Sequence, residues 1–559
     1  MKRPPYLSFL QDSWVNTTLT SMSLDQKIGQ LFQVAAFSNR GQEHEREIME
    51  LITKYHLGGL TFFQGTVDRQ IALTNQYQTL SAVPLFINID AEWGLAMRLS
   101  DGHQFPYQMT LGALRDDQLI FEMAQMIGQH CKALGIHSPL APVVDVNNNP
   151  DNPVINYRSF GADPERVSQK SLAYMKGLQA AGVLDNIKHF PGHGDTAVDS
   201  HLDLPILLHD EQRLQTVELY PFQRLISEGC SSVMIAHLQI PAWDKRPHRP
   251  ATLSQPILKR ILKGQLGFQG LIISDALDMH GITKYFQEGA ADCEAILAGN
   301  HILTNSLSVP KGIERIKEAI QASEWSVGAL EEQVRHILAM KKWVGANDPQ
   351  RLNPADAVAK IDLQGARVLN QKIAEQCLTM VIGESPRMDL EQGRVVFVHL
   401  KITEKTLSQR ESIAHHFTSK QEREATQSLT DKVQQAFPEV AVCEWRSEEG
   451  EPAFEHLLKG LSDYEQVHLA ISGINIKPLN HFDLPPYLRA HLLRILEPEK
   501  VHLSLFGNPF AIDHIADYAS VASLMVAYQD MSCFEDAAIK LWSGKIAAQG
   551  QLPVPLKQL

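Results

Sequence analysis

Cysteine is scarce in this sequence: Cys131, Cys230, Cys293, Cys377, Cys443 and Cys533 are spread over 559 positions with no CxxC pair. That spacing indicates neither a zinc site nor a dense disulfide framework and predicts free, buried thiols. Long apolar runs are missing too. No stretch reaches the roughly 18 apolar residues that a membrane-spanning helix needs, and the opening MKRPPYLSFLQDSW is basic without the apolar core of a signal peptide. No integral membrane segment is expected. The chain as it stands reads as soluble and cytoplasmic, or as periplasmic or secreted if an export signal has been removed. Positive charge is in deficit, with 51 Lys and Arg against 64 Asp and Glu and a formal net charge of −13. A surface for nucleic acid or anionic membrane needs clustered cations, so those partners are disfavoured and a small neutral or mildly anionic substrate fits better. No internal repeat or low-complexity tract stands out, and no feature of the pattern indicates an oligomeric state.

What is present is globular material, 44% hydrophobic and 21% charged, enough for a large core. The length exceeds what one core usually organises, so two domains are expected. Between residues 28 and 304, short apolar runs bounded by Gly, Pro or Asn alternate with segments of helical period, the pattern of repeated β/α units. Eight runs are legible: 28–37 (IGQLFQVAAF), 57–63 (LGGLTFF), 85–90 (LFINID), 137–146 (HSPLAPVVDV), 183–190 (VLDNIKHF), 231–237 (SSVMIAH), 270–275 (GLIISD) and 301–304 (HILT). They predict a TIM-like (β/α)8 barrel. Among the intervening segments, 117–134 has helical spacing of Leu119, Met123, Met126, Ile127 and Cys131, and 164–181 opens with a proline suited to a first helical turn. The stretch 343–358 (WVGANDPQRLNPADAV) concentrates Gly, Pro, Asn and Asp and marks a linker. We place the barrel at 1–345, the linker at 346–362 and a second, smaller α/β sandwich domain with a mostly parallel sheet at 363–559. Its runs are 394–400, 440–445, 466–472, 501–507 and 520–528, with a charge-rich helical segment at 408–434.

Barrel enzymes carry their reactive groups on the loops that follow the strands. Here Asp90 closes the third run, Asp145 lies in the fourth, Lys188 and His189 end the fifth, His237 ends the sixth and Asp275 ends the seventh. One charged strand end is a cap or a solvated group; five or more on one rim need a function to explain their mutual desolvation and repulsion. The segment 188–205, KHFPGHGDTAVDSHLDLP, packs three histidines and three aspartates into a loop bearing Gly and Pro. These are metal-ligand types, but HExxH spacing is absent and no cysteine lies near, so no metal is expected. Alternatively, the carboxylate of Asp199 can stabilise the imidazolium of His201 and fix its tautomer, letting His201 donate and later accept a proton. By itself the string is a weak signal, since a polar turn reads the same way. Asp275, in GFQGLIISDALDM, fits either a helix N-cap or a nucleophile that forms a glycosyl ester, and the string alone leaves both open.

Taken together, NIDAEWG, APVVDVNNNPDNPVINYRSFG, KHFPGHGDTAVDSHLDLP, VMIAH and GFQGLIISDALDM resemble the bacterial β-N-acetylglucosaminidases of glycoside hydrolase family 3. The resemblance covers most of residues 15–345. The KHFPGHGDT…DSH…LP string is specific to that subgroup, whereas the family's β-glucosidases lack the DSH acid/base and draw a glutamate from their second domain. LFGNPF, MVAYQD and GQLPV look like landmarks of the family's second domain. The resemblance implies a retaining exo-β-N-acetylglucosaminidase with Asp275 as nucleophile, His201 as acid/base and Asp199 as the partner that tunes it. It further implies that Asp90, Arg98, Arg158, Lys188 and His189 hold the sugar hydroxyls. The substrate class it implies is peptidoglycan fragments or chitin-type oligosaccharides, with no metal or organic cofactor expected. Two stretches depart from the family pattern. The usual DQEGGRVQR reads DAEWGLAMR, with Trp93 for Gly and Leu95 for Arg, and the usual AGAD reads AGNH at 298–301. A phosphorylase, a β-glucosidase-like family 3 enzyme, a non-catalytic sugar-binding protein and a metal-dependent hydrolase are the competing readings.

Overall fold

The computed structural model describes residues 2–196, 203–388, 393–403 and 427–558. Seven strands organise the first part of the chain: β1 (Phe32–Phe37), β2 (Gly59–Phe63), β3 (Phe86–Ile89), β4 (Asn186–Phe190), β5 (Ser232–Ile235), β6 (Leu271–Ser274) and β7 (Leu303–Thr304). They pair in the orders β3-β2-β1-β7 and β4-β5-β6, always parallel. Single bridges join the two groups, Asn88 to Ser138 and Val143 to Lys188 on one side and Ile273 to Ile302 on the other. Hydrogen bonding therefore passes around eight positions in chain order, the TIM-like arrangement expected. Nearly every strand residue is buried, because helices cover one face and side chains fill the other.

The eighth member corrects the reading of 137–146 as a strand. This segment makes bridges at Ser138 and Val143 but forms no ladder. Pro139 and Pro142 have no N–H to give, and Leu140 sits at φ 46°, outside the extended region. The Gln108 side chain supplies part of what the ladder lacks: Nε2 donates to Val143 O at 2.7 Å and Oε1 accepts from Val143 N at 3.0 Å.

The two helices anticipated from periodicity form as Gln118–Ala133 and Pro164–Ala181. The first buries Leu119, Met123, Ile127 and Cys131. The second starts on a proline, with Asp163 accepting from Arg166 N, and stops at Gly182 at φ 75°. These are strong start and stop signals, and a cap of this kind contributes about 1 kcal/mol.

After helix Val327–Trp343 the chain runs irregularly to the short helix Pro354–Ala359, and helix Leu363–Cys377 leads into a second sheet. Its strands are β8 (Thr379–Ile382), β9 (Val395–Lys401), β10 (Ala441–Arg446), β11 (Gln466–Ser472), β12 (Val501–Leu505) and β13 (Ser523–Val526). The order is β10-β9-β11-β12-β13-β8, parallel except for β8, which runs antiparallel at one edge. Of the charge-rich segment 408–434, residues up to 426 lie outside those described; from 429 it is helix Leu429–Ala436. Cys131, Cys230, Cys293 and Cys377 are free and buried. Among the described residues no helix is long and apolar enough to cross a membrane.

Buried histidines give both halves an acid liability. His468 and His502 face each other in register on β11 and β12, ring centroids 4.7 Å apart. Burial, then the charge of His502, pushes His468 well below its ordinary value, and burial lowers His502. In the barrel, burial brings His103 and His130 to about 4 and His137 to about 3. The unfolded chain takes up protons near 6.5 that the folded chain refuses, so stability rises with pH and is lost as pH falls below that value. The thermal midpoint should be highest above pH 7 and fall steadily from pH 6.5 towards 4. A midpoint that stays flat across that window would contradict this.

Candidate active site

The first residue after β3 is Asp90, and its carboxylate is gripped from both sides: Arg98 Nη2 lies 2.5 Å from Oδ2 and Lys188 Nζ 3.1 Å from Oδ1. Lys188 projects from β4 and also reaches Glu92 Oε1 at 2.8 Å, the two side chains being 2% and 0% exposed. Arg158 then forks onto Glu92, Nε to Oε2 at 2.9 Å and Nη2 to Oε1 at 2.6 Å. Such a bidentate pair fixes orientation as well as charge. Arg158 Nη2 also stands 3.3 Å from His189 Nε2, while His189 Nδ1 is 2.8 Å from Asp145 Oδ2. An ionised carboxylate can only accept, so Nδ1 of His189 carries the proton and Nε2 accepts from the guanidinium. Asp145 further accepts the backbone N–H of His189 and of His193, the latter at 2.8 Å.

Acids and bases are thus linked along a buried chain, Arg98, Asp90, Lys188, Glu92, Arg158, His189 and Asp145, with Arg158 against His189 the one contact between two bases. Burial by itself would raise Asp90, but Lys188 and Arg98 override it and hold the carboxyl far below its usual range. Glu92 is held to about 2 in the same way, burial being outweighed by Arg158 and Lys188. Asp145 is lowered against its burial by His189. All three stay ionised near neutrality, so they accept hydrogen bonds and do not supply protons. Stability is a poor explanation for the arrangement. Removing one member of a buried pair costs about 3–5 kcal/mol, yet an apolar replacement of the whole group is often neutral or better. Dense, fixed donors and acceptors suit a ligand rich in hydroxyls.

Asp275 follows β6 at the same rim, because β4, β5 and β6 are parallel neighbours, Lys188 and His189 lie at the middle and towards the C-terminal end of β4, and His237 and Asp275 lie just beyond β5 and β6. Its backbone N–H donates to Ile235 O at 3.0 Å, and its Oδ1 accepts from Ala276 N at 2.8 Å. The next helix starts only at His280 and is capped by Met279, so Asp275 caps no helix here. His237 supports the turn: Nε2 donates to Ala276 O at 2.8 Å and Nδ1 lies 2.7 Å from Thr252 Oγ1. Asp275 and His189 both act electrostatically on His193, which burial and His189 lower to about 4, leaving it neutral near pH 7. His193 Nδ1 is 2.7 Å from Thr196 Oγ1. Asp199 and His201 lie outside the described residues.

Asp90, Arg98, Arg158, Lys188 and His189 therefore come together in one network. Glu92 at its centre is passed over by reasoning from strand ends, since it lies two residues into the loop. Asp145 is visible as a strand-end acid, but its service to His189 is not. The side chains at both departures, Trp93 and Leu95 in one and Asn300 and His301 in the other, are buried. Trp93 is buried edge-on against Tyr107, centroids 5.0 Å apart, with Tyr157 at 5.8 Å. In AGNH, Asn300 donates to Thr252 O and Ala295 O, and His301 Nδ1 accepts from Ile272 N at 3.0 Å. Two sets of side chains among the described residues have metal-ligand proximity, Asp195 with His209 and Glu218, and Glu451 with Glu455 and His491. Neither includes a member of the rim network, and Arg213 already sits 3.0 Å from Glu218.

Residues 23–340 match the glycosyl hydrolase family 3 N-terminal domain. β-Hexosaminidase A of Pseudoalteromonas piscicida is 40% identical over 286 residues, 47% of this chain and 48% of that protein. The alignment thus spans about half the length of that curated relative. β-Hexosaminidase LpqI of Mycobacterium tuberculosis is 32% identical over 57% of this chain and 83% of its own length. Among solved structures, a family 3 β-N-acetylglucosaminidase from Paenibacillus sp. str. FPU-7 superposes with a TM-score of 0.79 at 28% identity, covering 96% of this chain and 99% of that one. The β-glucoside phosphorylase BglX shares the fold, with a TM-score of 0.80 at 22% identity. With the family match extending over more than half of the sequence, this chain belongs to glycosyl hydrolase family 3.

Proposed function

We propose that the protein is a retaining exo-β-N-acetylglucosaminidase acting on peptidoglycan-derived fragments or chitin-type oligosaccharides, without a metal or organic cofactor. Residues 1–345 form the catalytic unit, 346–362 the linker and 363–559 the second domain. In the first step the Asp275 carboxylate attacks the anomeric carbon while the glycosidic C–O bond breaks and His201 gives its proton to the leaving oxygen. In the second, His201 takes a proton from water, the water oxygen bonds to the anomeric carbon, and the ester bond to Asp275 breaks. Two inversions restore the β configuration. Asp199 favours the protonated form of His201, and Asp90, Arg98, Arg158, Lys188 and His189 hold the sugar hydroxyls. The observation that carries this reading is the presence of Asp275 on the same rim as the buried ionic network from Asp90 to Asp145.

The test is a panel of aryl β-glycosides with the product followed by NMR. N-acetylglucosaminide should be turned over far better than glucoside, with the β anomer released first. Preference for the glucoside would overturn the substrate assignment. Sugar-1-phosphate formed only when phosphate is added would make the enzyme a phosphorylase using the same residues.

A further inference from the structure

Three sequence landmarks of the second domain converge on the loops of the barrel that carry the site. In MVAYQD, Gln529 Oε1 accepts from Tyr107 N and Thr110 Oγ1, both at 2.8 Å, and so seats the helix Gln108–Gly112 whose Gln108 holds Val143. In GQLPV, Gln551 N donates to Ala113 O at 2.9 Å, Pro553 O accepts from Ala162 N at 3.1 Å, and Leu552 O accepts from Arg166 at 2.8 Å. In LFGNPF, Asn508 Nδ2 donates to Asn156 Oδ1 at 2.5 Å and to Ile476 O at 3.0 Å, while its Oδ1 accepts from Phe510 N at 3.1 Å. Asn508 is 4% exposed and Asn156 1%.

The Asn508 contact differs from the other two in what it holds. Asn156 sits at φ 37°, a left-handed conformation that asparagine tolerates better than most side chains, and it opens the single helical turn Asn156–Arg158. Its own Nδ2 donates to Pro150 O at 2.9 Å, so with Asn508 on Oδ1 the amide is fixed at both ends. Two residues on, Arg158 forks onto Glu92 and touches His189. The neighbouring Asn152 ties the same loop to His193 O and Gly194 O, each at 2.9 Å. The turn that aims Arg158 is thereby pinned from the barrel side through Asn152 and from the second domain through Asn508.

We infer that Asn508 is a positioning residue for the sugar subsite: the second domain holds the Asn156 turn in place and so sets the direction of the Arg158 guanidinium. This rests on the assignment of Arg158 to the sugar hydroxyls. A clamp that places a binding group acts on substrate and transition state alike, so its loss raises KM and leaves kcat nearly unchanged. Misplacement of a binding group by a fraction of an ångström is worth on the order of tenfold.

The experiment measures KM, kcat and the inhibition constant of free N-acetylglucosamine for N508D, R158A, R158K and N508D/R158K in the full chain. Asn508→Asp retains an oxygen that can accept from Phe510 N and so preserves the local cap, but it removes the donor to Asn156. KM and the inhibition constant should rise about tenfold in N508D, equally for good and poor leaving groups. In the R158K background the same change should add little, since the group it aims has already lost its fork. A fall in thermal midpoint with unchanged KM and inhibition constant would overturn the inference and leave Asn508 as a docking contact alone. If R158A itself left both constants unchanged, the assignment of Arg158 would fail instead, and with it the basis for a clamp.

Discussion

Asp275→Ala is expected to lower kcat/KM on even the most activated aryl N-acetylglucosaminide by about 10⁴-fold or more, the order of loss when a covalent nucleophile is removed. The chain should remain folded. Asp275 is held by its backbone, through Ile235 O, and it caps no helix, so the substitution leaves the start of the next helix intact. Its Oδ1 accepts from Ala276 N at 2.8 Å, a bond local to the turn. Circular dichroism and the thermal midpoint should match the parent protein. Substantial residual hydrolysis by a well-folded Asp275→Ala protein would reduce this residue to a support for the turn after β6.

His201→Ala should discriminate between leaving groups, which no merely structural loss would do. Alcohol-like leaving groups need a proton in the first step and should slow by about 10²–10⁴-fold, the usual contribution of a general acid. A good phenolate needs none and should depart almost normally. The second step still lacks its base, so glycosyl-enzyme should accumulate, and azide should rescue turnover by attacking in place of activated water. Asp199→Asn should act in the same direction more mildly, since it keeps the imidazole and removes the charge that favours its protonated form. Equal slowing of good and poor leaving groups without azide rescue would withdraw the acid/base role and turn attention to His189 and His193. Of these, His193 is neutral near pH 7 and His189 is held between Asp145 and Arg158.

How much of this was legible in the sequence depended on whether a residue's surroundings were local. The runs at 28–37, 57–63 and 270–275 announce buried parallel strands because both faces are covered and the run stays apolar. The run at 137–146 has the same composition, but Pro139 and Pro142 cannot feed a ladder, a fact the apolar pattern conceals. β8 escaped notice because it is a four-residue edge strand, mostly half-exposed, directly after a helix. Asp90, Lys188 and His189 could be anticipated from their places at strand ends. Glu92 could not, since nothing near it in sequence reveals that Lys188 and Arg158 arrive from 96 and 66 residues away in the folded chain. Asn508 and Gln529 were visible only as family landmarks, and their partners at Asn156 and Tyr107 lie 352 and 422 residues earlier.

The gap in the barrel wall at residues 137–146 has a bearing on how the chain matures. There the wall leans on the side chain of Gln108, and the helix that carries Gln108 is seated by Gln529. Synthesis runs from the N-terminus, so every strand of the ring has been made long before that seat exists. The barrel can collapse early, but this stave acquires its last fastening only after Gln529 of the second domain has left the ribosome. Completion of the rim that bears the candidate site is therefore deferred until the second domain has been made.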